Sequence, residues 1–398
     1  MKIGVHCFPL HAGIGGMRQY FLSLFDALLE CDTENEYVFF HQAKNVPELE
    51  ALASPRWREN AVQLGKTARV ARHLKGLDLY FSPLIVLKPR PLPLPTVVMI
   101  PDNQEVFFPD FFSERQKFTR AWHHRGSARM ADRVLTVSEF SKTTLSRHYG
   151  IPPQKIRVAP HCVDARFYRA REAGRRPQAA LPAGEFLFYP ANRWPHKNHD
   201  RLLRALQFLA VEKGLKLDLV LTGHDVTEGY PAQRMAAEYG LGGHVFCAGY
   251  VSVEELAWLY HHAAMTVFPS LFEGFGLPLV EAMAAGCPVA CSRAAALPET
   301  GGDAVDYFNP HSPREMAEAI QRLWTRRERR AALVERGHAR AACFSPTRLV
   351  RAHLQAFQEA RAAYRPWRYV WNALAGGPWH AWSAGRSYPE GKKADLSK

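Results

Sequence analysis

Phe268-Pro-Ser-Leu-Phe-Glu-Gly-Phe-Gly-Leu-Pro-Leu-Val-Glu-Ala-Met-Ala-Ala-Gly-Cys-Pro-Val-Ala-Cys291 reads as the end of a strand, a glycine loop, a helix and a second strand. Thr266 to Pro269 is a short apolar run. A helix is expected from about Pro278, because proline suits a first turn, to Gly286, because glycine suits the position just past a helix end. Val289 to Cys291 is then the next strand. Strand, helix and strand in that order is the repeating unit of a parallel α/β sheet. Two acids sit in this unit: Glu273 in the loop and Glu281 in the first turns of the helix. Both are placed to reach one crevice at the carboxyl end of the sheet, where α/β folds bind ligands. Gly274 and Gly276 let backbone amides come close to a ligand. The helix start near Leu277 and Pro278 offers unpaired N–H groups and a positive dipole end to a phosphate. Carboxylates suit sugar and ribose hydroxyls, since each accepts several hydrogen bonds.

The same alternation extends in both directions. Upstream, strands are expected at Phe186–Tyr189, Leu217–Leu221 and near Val245, and helices from about Asp200 and over Val253–His262. Tyr189-Pro-Ala-Asn-Arg-Trp-Pro-His-Lys-Asn198 places two cations, Arg193 and Lys197, just past the first of these strands. Cations there can neutralise a diphosphate as it leaves. Further upstream lie a strand over 2–8, a turn with Gly13, Gly15 and Gly16, and a helix over about Met17–Glu30. Strands follow at Tyr37–Phe40, Thr96–Ile100 and Arg133–Val137, and a helix at Ser141–His148. The glycine turn lacks both the G-x-G-x-x-G fingerprint and the P-loop Lys-Ser/Thr, so a tight strand–helix turn also explains it. Downstream, helices are expected around 313–323 and 346–363.

A chain of 398 residues exceeds what one core usually supports, so two domains are expected. Residues 169–184, rich in Arg, Ala, Pro and Gly, read as the linker. The expected layout is a first domain over 1–168 completed by helix 346–363, a second over 185–345, and a tail over 365–398. That tail carries Trp367, Trp371, Trp379, Trp382 and several basic residues. The seven cysteines show no C-x-x-C pair, which favours buried reduced thiols in a cytosolic protein. Neither a signal peptide nor an apolar run of spanning length is legible. With 51 basic against 38 acidic residues the net charge is +13, which favours anionic partners. No nucleic-acid-binding signature accompanies it, so no nucleic-acid partner is expected. The run Arg322, Arg326, Arg327, Arg329 and Arg330 reads first as a solvated helix face and second as a membrane contact. No Asp-x-Asp occurs, and the pairs His123-His124 and His261-His262 are neighbours that cannot face one site on a helix. No metal and no cofactor are therefore expected.

Together these motifs resemble the retaining glycosyltransferases of family 4, which have the GT-B fold. The resemblance spans roughly residues 2 to 363. It rests on the glycine turn, Leu135-Thr-Val-Ser138-Glu-Phe-Ser-Lys142, Trp194-Pro-His-Lys197-Asn, Gly249-Tyr-Val and, above all, the two-glutamate motif. It implies two Rossmann-like, doubly wound parallel-sheet domains facing a cleft. It also implies a nucleotide-diphosphate sugar as substrate and a glycan or lipid-linked glycan as acceptor. By the resemblance, Gly15 and Gly16 let the first domain approach the donor phosphates, and Arg193 and Lys197 bind the diphosphate. Glu273 contacts donor-sugar hydroxyls, with the amides of Phe275, Gly276 and Leu277 nearby. Glu281 holds the ribose, Gly223 lines the nucleotide pocket, and Tyr250 and Val251 lie near the base. Ser138 and Lys142 face the cleft on the acceptor side.

One departure stands out: family members often carry His-Asp where this chain has Pro101-Asp102. The carbonyl of Pro101 survives, because proline lacks only the N–H. Asp102 remains as an orienting or acceptor-side carboxylate, with capping of its own turn as the alternative. The implied activity is transfer of a hexose, of GDP-mannose or UDP-glucose type, in surface polysaccharide synthesis. The expected location is the cytoplasm, with peripheral contact at the inner membrane face left open. A non-catalytic GT-B protein that binds a nucleotide sugar and a nucleotide-sugar epimerase are the alternatives. Donor base, sugar and acceptor are not legible, the acceptor being read by loops such as 55–95 and 103–118.

Overall fold

The computed structural model describes residues 1–169, 174–224, 232–367 and 369–370. The chain divides into two compact units. One is Met1–Cys162 together with the segment from Pro346 onward, and the other is Val163–Ser345.

The first unit is a seven-stranded sheet of β1 (Lys2–His6), β2 (Glu36–His41), β3 (Ala61–Gln63), β4 (Leu79–Ser82), β5 (Thr96–Met99), β6 (Arg133–Thr136) and β7 (Ile156–Val158). Their order is β3-β2-β1-β4-β5-β6-β7, and every pairing is parallel. Parallel strands are covered on both faces, which is why they read as unbroken apolar runs such as Tyr37–Phe40 and Thr96–Met99. The helix Gly16–Cys31 buries Tyr20, Phe21, Leu24, Phe25 and Leu28 along one stripe. The helix Pro346–Ala363 packs beside it. His353 Nε2 meets the Tyr20 hydroxyl at 2.7 Å, Phe357 lies edge-on to Phe81, and Glu359 pairs with Arg133 and Arg157.

The second unit is a six-stranded sheet of β8 (Phe186–Pro190), β9 (Asp218–Thr222), β10 (Val245–Cys247), β11 (Met265–Phe268), β12 (Val289–Ser292) and β13 (Asp306–Phe308). Its order, β10-β9-β8-β11-β12-β13, is again wholly parallel. In each sheet the chain starts in the middle, walks outward, and returns to the other side of its first strand. The order therefore reverses between β1 and β4 and between β8 and β11. Such reversals open a crevice at the carboxyl ends of the strands.

Three expectations need amending. The division falls at Cys162/Val163 instead of at 168, and residues 170–173 of the expected linker lie outside the described residues. Its next residues pack on the second unit: a Cβ on Gly174 would lie 2.9 Å from that of Trp258, and Arg175 pairs with Glu255 at 3.0 Å. The arginine run is not simply a solvated face. Arg322 and Arg329 both bond the buried Asp306, and Arg330 reaches Glu185. Burial pushes the Asp306 carboxyl up, but the bonds from Arg322 and Arg329 outweigh it and hold it below the usual carboxylate range. Of the cysteines, Cys7, Cys162, Cys287 and Cys291 are buried, whereas Cys31 and Cys343 are exposed. Among the described residues no helix is long and apolar enough to cross a membrane. Of the tail, residues 368 and 371–398, with Trp371, Trp379 and Trp382, lie outside the described residues.

Candidate functional site

Four loops line the carboxyl edge of the second sheet, following β10, β9, β8 and β11 in that spatial order. The two at the reversal point carry the charges. Lys197 leaves the loop after β8 and Glu273 the loop after β11, and Lys197 Nζ lies 2.6 Å from Glu273 Oε1. Both side chains are mostly shielded from solvent, so this pair acts in a lower effective dielectric than a surface bridge.

Backbone chemistry fixes both loops. Asn198 adopts the left-handed conformation, which asparagine tolerates better than most residues, and its side-chain amide donates to the carbonyls of Pro269 and Pro310. The Leu271 N–H donates to His196 O at 2.7 Å. Beneath them the buried Tyr189 hydroxyl donates to Lys197 O at 2.9 Å and lies 3.2 Å from Ser270 Oγ. The Glu273 loop is held from its far side by Thr300, whose hydroxyl donates to Phe275 O at 2.6 Å, and by the Ala296 N–H on Glu273 O. Gly276 caps the helix Leu277–Ala284 at φ +91°, where any Cβ would lie 2.6 Å from Leu297. No side chain caps that helix; Pro278 has no N–H and the Leu279 N–H donates to Gly276 O at 3.0 Å, so Leu277 is the first-turn residue whose N–H points toward a ligand at this end.

Arg193 is tied to the neighbouring turn. Its guanidinium donates to Gly223 O at 2.9 Å, and its N–H to His224 O at 3.0 Å. Gly223 sits at φ +92°, and a Cβ there would lie 2.8 Å from the Asn192 backbone nitrogen, so only glycine fits between the two turns. The Gly223 N–H in turn donates to Gly249 O. Tyr250, 73% exposed, stacks flat on His224 with ring centroids 5.6 Å apart. Val251 follows it, partly buried. His199, buried against Tyr189, is pushed down to about 3 by burial and then by Arg193 and Lys197. One imidazole thus registers the field of both cations.

Glu281 has a different partner. It lies buried on the inner side of its helix and accepts a hydrogen bond from the Tyr260 hydroxyl at 3.1 Å. Burial raises its carboxyl to about 7; the Tyr260 bond opposes the shift and Asp164 adds to it.

In the first unit, Gly15 caps helix Gly16–Cys31 at φ +52° without a side-chain hydrogen bond, and a Cβ on Gly15 or Gly16 would meet nothing within 4 Å. That helix start is therefore sterically open. Pro101 O accepts from the Thr136 hydroxyl at 3.2 Å, which leaves one lone pair. Asp102 accepts from the Gln104 N–H, the capping role weighed from sequence. Ser138 is buried and caps helix Glu139–Tyr149 through Ser141 N–H, while Lys142 pairs with Glu139 at 3.7 Å. The described contacts give Ser138 a structural task.

Sequence reasoning missed Tyr189, His224, Tyr260 and Thr300, each of which positions a named residue. Asn198 was part of a quoted motif but received no role. Only its type, an asparagine between a turn and a helix, signals the left-handed position.

The family described as "Glycosyl transferases group 1" matches residues 171–340, and "Glycosyltransferase Family 4" matches residues 14–167. The chain is 32% identical over 217 residues to the MMP alpha-(1->4)-mannosyltransferase of Mycolicibacterium hassiacum, covering 52% of this chain and 50% of that one. It is 31% identical over 220 residues to O-antigen chain mannosyltransferase B of Escherichia coli, covering 53% and 56% respectively. The chain thus spans about half the length of the curated relatives it matches. Sucrose-phosphate synthase of Thermosynechococcus elongatus superposes with a TM-score of 0.70 at 21% identity, over 92% of this chain and all of that one. Anabaena HepE in complex with UDP-glucose gives 0.70 at 16% identity over the same shares.

Proposed function

Because this chain belongs to glycosyltransferase family 4, with the GT-B fold, we propose that it transfers a hexose from a nucleotide-diphosphate sugar to a glycan or lipid-linked glycan. The observation that carries the reading is the shielded Lys197–Glu273 pair at the strand-order reversal of the second sheet. A cation and an acid side by side match a donor that presents phosphate and sugar hydroxyls within one molecule. We assign Lys197 and Arg193 to the departing diphosphate and Glu273 to the sugar hydroxyls. The open helix start at Leu277 adds dipole stabilisation. Glu281 takes the ribose, whose hydroxyls would donate to a carboxylate that already accepts from the Tyr260 hydroxyl.

The reaction is a front-face displacement with retention. The acceptor oxygen bonds the anomeric carbon as the bond to the diphosphate oxygen breaks, and the acceptor proton passes to that departing oxygen. Lys197 and Arg193 supply the countercharge that a cation supplies elsewhere, so a metal-independent reaction is proposed. The sequence relatives named as mannosyltransferases favour GDP-mannose over UDP-glucose as donor. We place the work in surface polysaccharide synthesis in the cytoplasm, at the inner membrane face.

A thermal-shift screen over GDP and UDP and their sugars tests the donor, since a ligand of the folded form raises the melting temperature. GDP-mannose is expected to give the largest shift. Replacing Lys197→Ala is expected to lower turnover by at least about 10²-fold, the scale of losing one charge-stabilising group, with the far-UV circular dichroism unchanged. Near-normal turnover in that variant would overturn the assignment.

A further inference from the structure

We propose that Tyr189 is a positioning residue for the transfer step, its hydroxyl fixing, through the backbone of Lys197, where that ammonium meets the diphosphate. The inference rests on the transferase reading of Lys197 and deepens it by assigning the group that aims the cation.

Tyr189 is the fourth residue of β8, and its side chain is fully buried. A buried hydroxyl is unfavourable without partners, so phenylalanine is the simpler choice in such a strand unless the oxygen is used. Here both of its bonds go to loops of the site. It donates to Lys197 O at 2.9 Å and lies 3.2 Å from Ser270 Oγ. Its one proton goes to the carbonyl, which can only accept, so Ser270 is the donor in the second bond. The Ser270 carbonyl in turn accepts from the Ser292 hydroxyl, at the end of β12, at 2.6 Å. The ends of β8, β11 and β12 are thus joined by hydroxyl groups beneath the loops. Burial pushes the Tyr189 phenol well above its usual range, with the Ser270 bond opposing the shift, so it remains a donor at any working pH.

The same side chain bears on Lys197 at both ends. Its hydroxyl holds the Lys197 carbonyl. Its ring stands at 90° to Phe268 with centroids 5.9 Å apart, and the Lys197 ammonium lies 5.9 Å from the centroid of that Phe268 ring. Glu273 holds the ammonium at 2.6 Å. His199 packs on the Tyr189 ring with centroids 4.8 Å apart, so the ring is fixed between two aromatic neighbours. Lysine carries its charge on a flexible four-carbon stem, so a lysine that must meet one phosphate needs its main chain held. Misplacement by about 1 Å can cost a reaction about 10²-fold. The Tyr189 hydroxyl supplies that placement without touching the substrate. Tyr189→Phe keeps the ring contacts and removes the hydroxyl alone.

The test is calorimetric titration of the full chain with GDP, GMP, UDP and UMP. It compares the wild type, Tyr189→Phe, Lys197→Ala and the double variant. The ratio of diphosphate to monophosphate affinity for one base reads the placement of the cation, whereas a general loosening of the fold weakens both nucleotides alike. Tyr189→Phe is expected to keep the monophosphate affinity within about twofold, to cut the diphosphate preference at least about threefold, and to add nothing once Lys197 is alanine. Ser270→Ala, which removes the donor to Tyr189, takes its place with the same expectation if Tyr189→Phe folds poorly. A full diphosphate preference in Tyr189→Phe, beside its loss in Lys197→Ala, would overturn the positioning role and leave the transferase reading standing. Equal weakening of both nucleotides, or additive effects of the two substitutions, would make Tyr189 a packing residue and overturn the role as well. A wild type with no preference for either diphosphate would end the reading of Lys197, and this inference with it.

Discussion

Glu281 costs stability in the ligand-free protein, and the sign of that cost is measurable. Its folded value of about 7 lies above the ordinary carboxyl value of 4.5, so its contribution is favourable below pH 4.5 and is lost as pH rises through 7. At pH 8 the folded state carries the full cost of a buried charge. Glu281→Gln keeps an acceptor for Tyr260 and removes the titration. It is expected to stabilise the ligand-free protein by about 1–3 kcal/mol at pH 8 while losing most of the nucleotide-induced melting shift. A destabilised variant with full nucleotide response would contradict the assignment. The acids and cations of this site were legible in the sequence because charged residues beside glycines at strand ends have few structural reasons to be there. Tyr189 and Tyr260 were not, because a tyrosine in an apolar run looks like core until its hydroxyl is placed. Pro101 is intermediate: its carbonyl is present, and Thr136 already uses one lone pair.

Among the elements, the helix Pro346–Ala363 depends on a neutral imidazole. His353 donates from Nδ1 to Leu349 O and accepts from the Tyr20 hydroxyl at Nε2. Burial lowers it to about 4, and burial with its neighbour His353 lowers His161 to about 3. Both values fall below the ordinary 6.5, so their contribution is complete above pH 6.5 and is lost as pH falls through that value toward 4. Urea titrations are expected to show stability falling by about 1.4 kcal/mol per pH unit for each such histidine. Tyr20→Phe with His353→Phe leaves no hydroxyl unpaired and is expected to flatten that slope by one histidine's share; an unchanged slope would refute it. The long periodic elements were legible to within a residue or two, as in Val253–His262 and Pro346–Ala363. β3, β7 and β13 were not, because three residues carry no period and of the strands that short only β10 was expected, and β4 was not, because four buried residues after a turn look like a loop. Helix Arg327–Ala342 was hidden by its arginines, since Leu333, Gly337 and Ala341 alone form its buried stripe.

At the scale of the molecule, two sheets repeat one plan. Each opens with its middle strand and reverses order beside it, and each places a glycine-bearing turn at that edge. The second adds charges to the plan, which is why the binding chemistry is assigned there. In the proposed function the edge between β8 and β11 grips a nucleoside diphosphate through Lys197 and Arg193. Calorimetric titration with GDP and GMP, on the wild type and on Lys197→Ala, measures this most directly. GDP is expected to bind the wild type at least tenfold more tightly than GMP, and Lys197→Ala is expected to remove most of that advantage. Equal affinities for the two nucleotides, or an advantage that survives the loss of Lys197, would contradict it.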